Sequence, residues 1–252
     1  MQTLLNLDGM PATSLFPLTT DAGTVGVLEL RTERPLLPSE RRSVASILRL
    51  YRNVQGLLDY SEHDTLTGLL NRKTFDHAFL KLTMPASGGL ETKDAERREG
   101  SSSARYYLGV VDIDHFKRVN DSFGHLIGDE VLLLLSRLMR GTFRYHDRLY
   151  RFGGQAFVVL MRCLDDGSAA IAFERLRTNV ERFVFPQVGR ITVSVGCTAV
   201  GSDDTPTRAF ERADRAVYHA KANGRNQVHS HALLVAAGLL ENLLQAGDVE
   251  LF

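Results

Sequence analysis

The chain has 252 residues, 44% of them apolar, with 30 acidic and 30 basic residues and a formal net charge of zero. That supports a proper core, in one large domain or in one of ordinary size with an extra segment. The charge balance excludes a globally basic nucleic-acid binder, so any anion-binding surface must be local. The two cysteines, Cys163 and Cys197, stand far apart in apolar runs. They read as core residues in a reducing compartment, not as a disulfide or a metal site. The start MQTLLNLDGMPATS has no basic stretch leading into a long apolar run. No apolar run reaches the roughly 18 residues of a membrane span. The expectation is a cytoplasmic protein without a membrane span.

Residues 1–37 hold one hairpin: Ser14–Leu18, a turn at Asp21-Ala22-Gly23, then Thr24–Leu30. Two strands do not make a domain, so the hairpin reads as the end of something larger or as a cap. Residues 38–60 read as a connecting helix, opened by Pro38-Ser39-Glu40 with Ser39 as N-cap. Val44, Ile47, Tyr51, Val54 and Leu58 form a heptad-like stripe that suits either a partner helix or the protein's own body. A loop at 64–71 leads into a helix from Arg72 to Leu82. Residues 85–104 are rich in Gly, Ser and charge, and read as a flexible inserted loop.

A compact unit follows. Arg105–Ile113 reads as a strand, followed by a polar turn, and Gly128–Met139 as a helix. Two strands, Asp147–Phe152 and Ala156–Arg162, flank Gly153-Gly154. Then come a helix (Ser168–Phe185), a strand (Arg190–Val200), a helix (Thr207–Ala222) and a short strand (Asn226–His229). This order predicts an α/β sandwich with a mixed sheet. Residues 230–252 form a Leu/Ala-rich helical tail, too short and polar to span a bilayer.

Asp112 and Asp114 close the first strand of this unit. Open α/β sheets place ligands at such strand ends, and carboxylates there can hold Mg²⁺. Lys117 could meet a phosphate. Asn120 and Asp129 offer the amide and carboxylate that a guanine edge asks for. They read equally well as an Asn turn and an Asp favoured near a helix N-terminus.

Four ordered pieces resemble the GGDEF domain of diguanylate cyclases. They are DTLTGLLNR (64–72), DIDHFKRVNDSFGHLIGD (112–129), RFGGQAF (151–157) and ADRAVYHAKANGRN (213–226). The resemblance covers 61–229 and implies a nucleotidyl-cyclase-like mixed central sheet flanked by helices, here preceded by a hairpin-plus-helix segment. That segment is similar to the closing hairpin and exit helix of a GAF sensor domain. In the family, two GTP-loaded domains meet face to face and yield cyclic di-GMP and pyrophosphate, with Mg²⁺ bridging the phosphates. The resemblance makes Asp112 and the Ile113 backbone carbonyl metal ligands. It gives the guanine to Asn120 and Asp129, and the phosphates to Phe116 and Lys117. Lys221 and Arg225 would hold the triphosphate tail, and Gly153 and Gly154 would permit close backbone approach. A homodimer or a partner signalling domain is implied as well.

The signature itself departs from the family. Gln155 and Ala156 stand where two acidic residues are expected. Losing charge stabilisation at a phosphoryl centre costs on the order of 10³-fold in rate. No catalytic residue is therefore expected there, and Mg²⁺ would be held weakly, if GTP binds. A second site stays whole. Arg144 stands nine residues before Gly153, in an R-x-x-D with Asp147. In the family this is the inhibitory site for cyclic di-GMP. Arg can fork to a guanine edge and Asp can accept from its N–H groups. As a surface ion pair alone it would be worth little. The expected function is a degenerate GGDEF domain that binds cyclic di-GMP, GTP or both. The alternative is an active cyclase with an atypical signature and its metals on Asp112 and Asp114.

Overall fold

The computed structural model describes residues 12–20, 23–83 and 104–241. The chain forms two compact units, Met1–Glu62 and His63–Phe252.

In the first unit, β1 (Ala12–Thr20) pairs antiparallel with β2 (Gly23–Thr32), with a register shift at Leu18/Thr19. Ala12, Ser14 and Phe16 are buried at alternate positions, the period of a one-faced strand. Helix α1 (Pro38–Glu62) packs on β1. Its start differs from the N-cap assigned to Ser39. Pro38 is the first helical residue, where its missing N–H costs nothing. The Leu37 N–H donates to the Glu40 carboxylate at 2.7 Å, and Arg34 forks onto the same carboxylate at 2.7 and 2.9 Å. Glu40 thus supplies the reciprocal half of a capping box without a hydroxyl at its head. Ile47, Leu50, Tyr51 and Val54 lie exposed along α1.

The second unit is built on one six-stranded sheet. Its elements are β3 (Leu70–Asn71), α2 (Arg72–Thr83), β4 (Arg105–Ile113), α3 (Phe116–Phe123), α4 (His125–Thr142), β5 (Arg148–Arg151) and β6 (Ala156–Cys163). They continue with α5 (Asp166–Arg182), β7 (Val184–Phe185), β8 (Gly189–Arg190), β9 (Val193–Ala199), α6 (Pro206–Ala222), β10 (Val228–Ser230) and α7 (His231–Ala236). The strand order is β10-β9-β4-β6-β5-β3. The two outer strands run parallel to their neighbours and the inner pairings are antiparallel, so the sheet is mixed.

Period-2 alternation divides the core between two faces. Val111, Phe157, Val159 and Val195 pack with Leu135 and Met139 of α4 and Phe173 and Leu176 of α5. Leu108, Val110, Val158 and Leu160 pack with Phe75 and Phe79 of α2 and Ala213 and Val217 of α6. Helix α6 lies unusually close to β9. A Cβ on Gly196 would sit 2.0 Å from the Ala213 carbonyl oxygen and 2.6 Å from the Val217 nitrogen. Only glycine permits that approach, which brings the C-terminal turn of α6 to the end of β4.

Several boundaries differ from the sequence expectation. The polar turn after Asp114 is a helix, α3, whose buried residues are Phe116 and Val119. Helix α4 begins at His125, not Gly128, directly after Gly124 at φ 82°. Helix α5 is capped by Asp165, which accepts from the Ser168 N–H at 2.6 Å, and it ends at Arg182. The residues assigned to its last turn form a short antiparallel pair with β8. The tail contains the six-residue α7, and residues 242–252 lie outside the described residues, as does the inserted loop up to 103.

Candidate functional site

Strand β4 ends between β6 and β9, with Asp112 opposite Ala156 on one side and Ser194 on the other. The Lys221 ammonium, from the last turn of α6, lies 2.7 Å from Asp112 Oδ1. The geometry is that of an ion pair and not of an aligned hydrogen bond. The Gln155 amide donates to Asp112 Oδ2 over a long 3.4 Å. Burial pushes the Asp112 carboxyl up from its ordinary range, and the Lys221 charge opposes that only in part. Asp214, two turns back on α6, adds a repulsive influence on Asp112 and is itself pushed up by burial.

Asp114 is only 4% exposed and fully engaged. It accepts from Thr192 Oγ1 and Ser194 Oγ at 2.7 Å each, and from the Asn226 N–H at 3.0 Å. It ties the end of β4 to β9 and to the turn after α6. Asp114 is thus unavailable to a metal, contrary to the alternative that placed ions on Asp112 and Asp114.

Magnesium needs several fixed hard oxygens. Here Asp112 already faces two nitrogen donors, Ala156 carries no ligand atom, and the remaining donor from the expected set is the backbone carbonyl of buried Ile113. Among the described residues, no group of three or more His, Cys, Asp or Glu side chains could hold a metal ion. This donor set does not fit a resident divalent ion.

The hairpin between β5 and β6 turns on Gly153 (φ 93°) and Gly154 (φ 53°), and a Cβ at either would meet nothing within 4 Å. The turn is both left-handed and open, and glycine meets both needs. Arg151 braces it. Its guanidinium donates to the Gly154 carbonyl at 2.9 and 3.3 Å and to the two oxygens of Asp64 at 2.9 and 3.2 Å. Asp64 also accepts from Thr67, through its N–H at 2.8 Å and its hydroxyl at 2.7 Å. Burial alone would raise the Asp64 carboxyl, but the Thr67 hydrogen bonds and the Arg151 charge hold it below the usual range.

The residues assigned to guanine lie on neighbouring helices. Asn120 Oδ1 is buried without a hydrogen-bond partner among the described residues, and a Cβ on Gly128 would lie 1.9 Å from it. An orphaned acceptor of this kind favours a ligand donor. Asp129 is exposed in the first turns of α4. Phe116 opens α3 and is buried, and Lys117 beside it is exposed. Arg225 follows α6 at φ 63°, its N–H donating to the Ala220 carbonyl at 2.9 Å.

On the loop between α4 and β5, the Asp147 carboxylate accepts from the Arg144 backbone N–H at 2.8 Å, and the Asp147 N–H returns to the Arg144 carbonyl at 3.0 Å. Asp147 therefore closes the turn through the backbone, and Arg144 is exposed. Tyr145, next to it, is 98% exposed.

Residues 61–227 match the family described as Diguanylate cyclase, GGDEF domain. This chain belongs to the GGDEF family. It is 40% identical over 169 residues to Diguanylate cyclase DgcP of Pseudomonas aeruginosa, covering 66% of this chain and 23% of that protein. It is 33% identical over 220 residues to Response regulator PleD of Caulobacter vibrioides, covering 81% of this chain and 45% of the relative. The chain thus spans less than half the length of either. Among solved structures, it resembles the coiled coil and GGDEF domain of DgcB from Caulobacter crescentus in complex with c-di-GMP. The TM-score is 0.63 at 29% identity, over 75% of this chain and 96% of that one. The α/β GGDEF fold with its mixed sheet, hairpin and helix is as the sequence implies.

In this GGDEF domain the fold brings Asp112, Gln155 and Lys221 into direct contact, seats Asn120 against Gly128, and pairs Arg144 with Asp147 through the backbone. Sequence reasoning assigned Lys221 to phosphate; in the structure its ammonium lies 2.7 Å from Asp112 Oδ1. It missed Asp64 and Arg151 as the brace of the signature turn. The signal was available: each is a charged residue of opposite sign inside a family motif. It also left Asp114 as an optional ligand, when its flanking Thr192 and Ser194 hydroxyls are what it binds.

Proposed function

We propose that this GGDEF domain serves cyclic di-GMP signalling as a binding module with little or no cyclase turnover. Cyclic di-GMP would dock at Arg144 and Asp147. GTP would lie with its guanine at Asn120 and Asp129 and its phosphates toward Phe116, Lys117, the Gly153-Gly154 turn, Lys221 and Arg225. The observation that carries this reading is the state of Asp112. It faces the Lys221 ammonium and the Gln155 amide, and Ala156 opposite it carries no carboxylate. Phosphoryl transfer relies on cations fixed beside the reacting phosphate, and the residues for fixing them are missing. The exposed Arg144 and the preformed turn at Asp147 support the dinucleotide assignment. The exposed apolar stripe of α1 supports a homodimer or a partner signalling domain, and the hairpin before it the end of a GAF-like sensor. No helix among the described residues is long and apolar enough to cross a membrane.

The second reading is an active diguanylate cyclase with an atypical signature, favoured by the 40% identity to a relative that bears that activity in its name. Incubation with GTP and Mg²⁺ or Mn²⁺, scored for cyclic di-GMP, separates the two. Turnover abolished by Asp112→Ala would establish the second. Calorimetry with cyclic di-GMP then tests the receptor role, and affinity unchanged by Arg144→Ala would remove the dinucleotide site from this proposal.

A further inference from the structure

We infer that the GTP site of this domain works without a divalent cation, with the Lys221 ammonium as the resident charge that receives the phosphate chain. The inference rests on the GTP-binding reading above. It starts from the position of Lys221, whose Nζ stands 2.7 Å from Asp112 Oδ1. An arriving divalent ion would meet that ammonium at the carboxylate it needs. The neighbouring acid, Asp114, is buried and holds three hydrogen bonds. Ala156 offers no replacement.

A phosphate chain meets the opposite situation. The Lys221 side chain is 29% exposed, so it is not sealed against Asp112. An ammonium has three donors, and Asp112 occupies only one side of it. The Gly153-Gly154 turn is open where side chains would otherwise stand. Among the described residues, the N–H groups of Gly153, Gly154 and Gln155 have no backbone acceptor. The Gln155 side chain reaches the same carboxylate as Lys221, at 3.4 Å, and an ammonium together with the unpaired N–H groups of a neighbouring turn can bind phosphate oxygens directly. The ligand class is a guanosine di- or triphosphate in its metal-free form.

This arrangement inverts the role of Asp112. In a metal site the carboxylate attracts the nucleotide through the ion, and its loss abolishes binding. Here it competes with phosphate for Lys221, and neutralising it strengthens binding.

The test is calorimetry of the full chain with GTP, once in EDTA and once in excess Mg²⁺. The expected result is binding in EDTA at least as tight as in Mg²⁺. Asp112→Asn keeps the side-chain shape and tightens GTP binding in EDTA by about fivefold, the effect of removing one charge near a phosphate in a partly solvated site. Lys221→Met weakens it at least tenfold, roughly the value of a charge-assisted contact. Binding seen only with Mg²⁺, and lost in Asp112→Asn, overturns the inference and leaves the GTP-binding reading standing. No GTP binding in either buffer, with cyclic di-GMP still bound by the same sample, overturns both. The wild-type comparison between buffers needs no variant, so it decides the matter if Asp112→Asn fails to fold.

Discussion

Replacing Asp114 with alanine tests whether this carboxylate is a structural tie. The side chain is 4% exposed and accepts two hydroxyls at 2.7 Å and one backbone N–H at 3.0 Å. Hydrogen bonds to a charged acceptor contribute about 1.5–3 kcal/mol each, and their losses do not add fully. Truncation also leaves the Ser194 and Thr192 hydroxyls and the Asn226 N–H without an acceptor in a closed space. The expected cost is about 4 kcal/mol, a large part of the roughly 5–15 kcal/mol that holds an ordinary domain together. With a urea slope of about 2 kcal/mol/M, the midpoint falls by about 2 M. Urea denaturation followed by far-ultraviolet circular dichroism reads this directly. Asp114→Asn keeps the volume but presents an NH₂ group toward donors, so it recovers less than half of the loss. A midpoint within about 0.5 M of wild type for Asp114→Ala, equivalent to about 1 kcal/mol, would refute the assignment and return Asp114 to the ligand-binding residues.

Three further outcomes follow from the site's supports. Arg151→Ala leaves Asp64 half-buried without its cation and frees the Gly154 carbonyl, so it costs about 2–3 kcal/mol by thermal or urea unfolding. Because the Asp64 carboxyl is held below its ordinary range when folded, its contribution is fully present above the unfolded value near about 3.9 and is lost as pH falls through the folded value. The stability gap between wild type and Asp64→Asn should therefore be widest near neutral pH and close in the acid range; a gap that widens on acidification contradicts the pairing. Gly128→Ala places a methyl 1.9 Å from Asn120 Oδ1 and must turn that side chain aside. Alanine in place of this glycine in the first turn of α4 offsets the strain by up to about 1 kcal/mol, so stability changes little while GTP affinity falls by about tenfold or more.

The sequence spoke most clearly where one physical requirement dominated. Strand β4 alternates Leu108 and Val110 on one face with Val111 and Ile113 on the other, and β6 is apolar on both faces because helices cover both. Helix α3 was hidden because only Phe116 and Val119 of its eight residues are buried, while Lys117, Arg118, Asn120 and Asp121 dominate its composition. A left-handed His115 at φ 56° starts it, and no composition rule announces that. The β7–β8 pair was absorbed into its neighbours, since two-residue strands carry no periodicity. At the start of α1, Ser39 matched the preferred cap chemistry, but the Glu40 carboxylate reached the Leu37 N–H first.

The site was legible as residue types and illegible as pairings. Gln155 and Ala156 stand where the resemblance implies two acids. They do not reveal what Asp112 does without them. A carboxylate that is 15% exposed at the end of a central strand cannot stay charged and unpaired without a penalty of several kcal/mol. Either the proton returns or a cation arrives. Burial pushes Asp112 toward the first outcome, and Lys221 supplies the second from a helix that Gly196 lets settle onto the sheet. The same ammonium that the resemblance offers to phosphate lies 2.7 Å from Asp112 and serves as its counter-ion. Asp112, Gln155 and Lys221 therefore form one electrostatic arrangement. Any change that restores a carboxylate beside Asp112 must reckon with Lys221 before it can hold a metal.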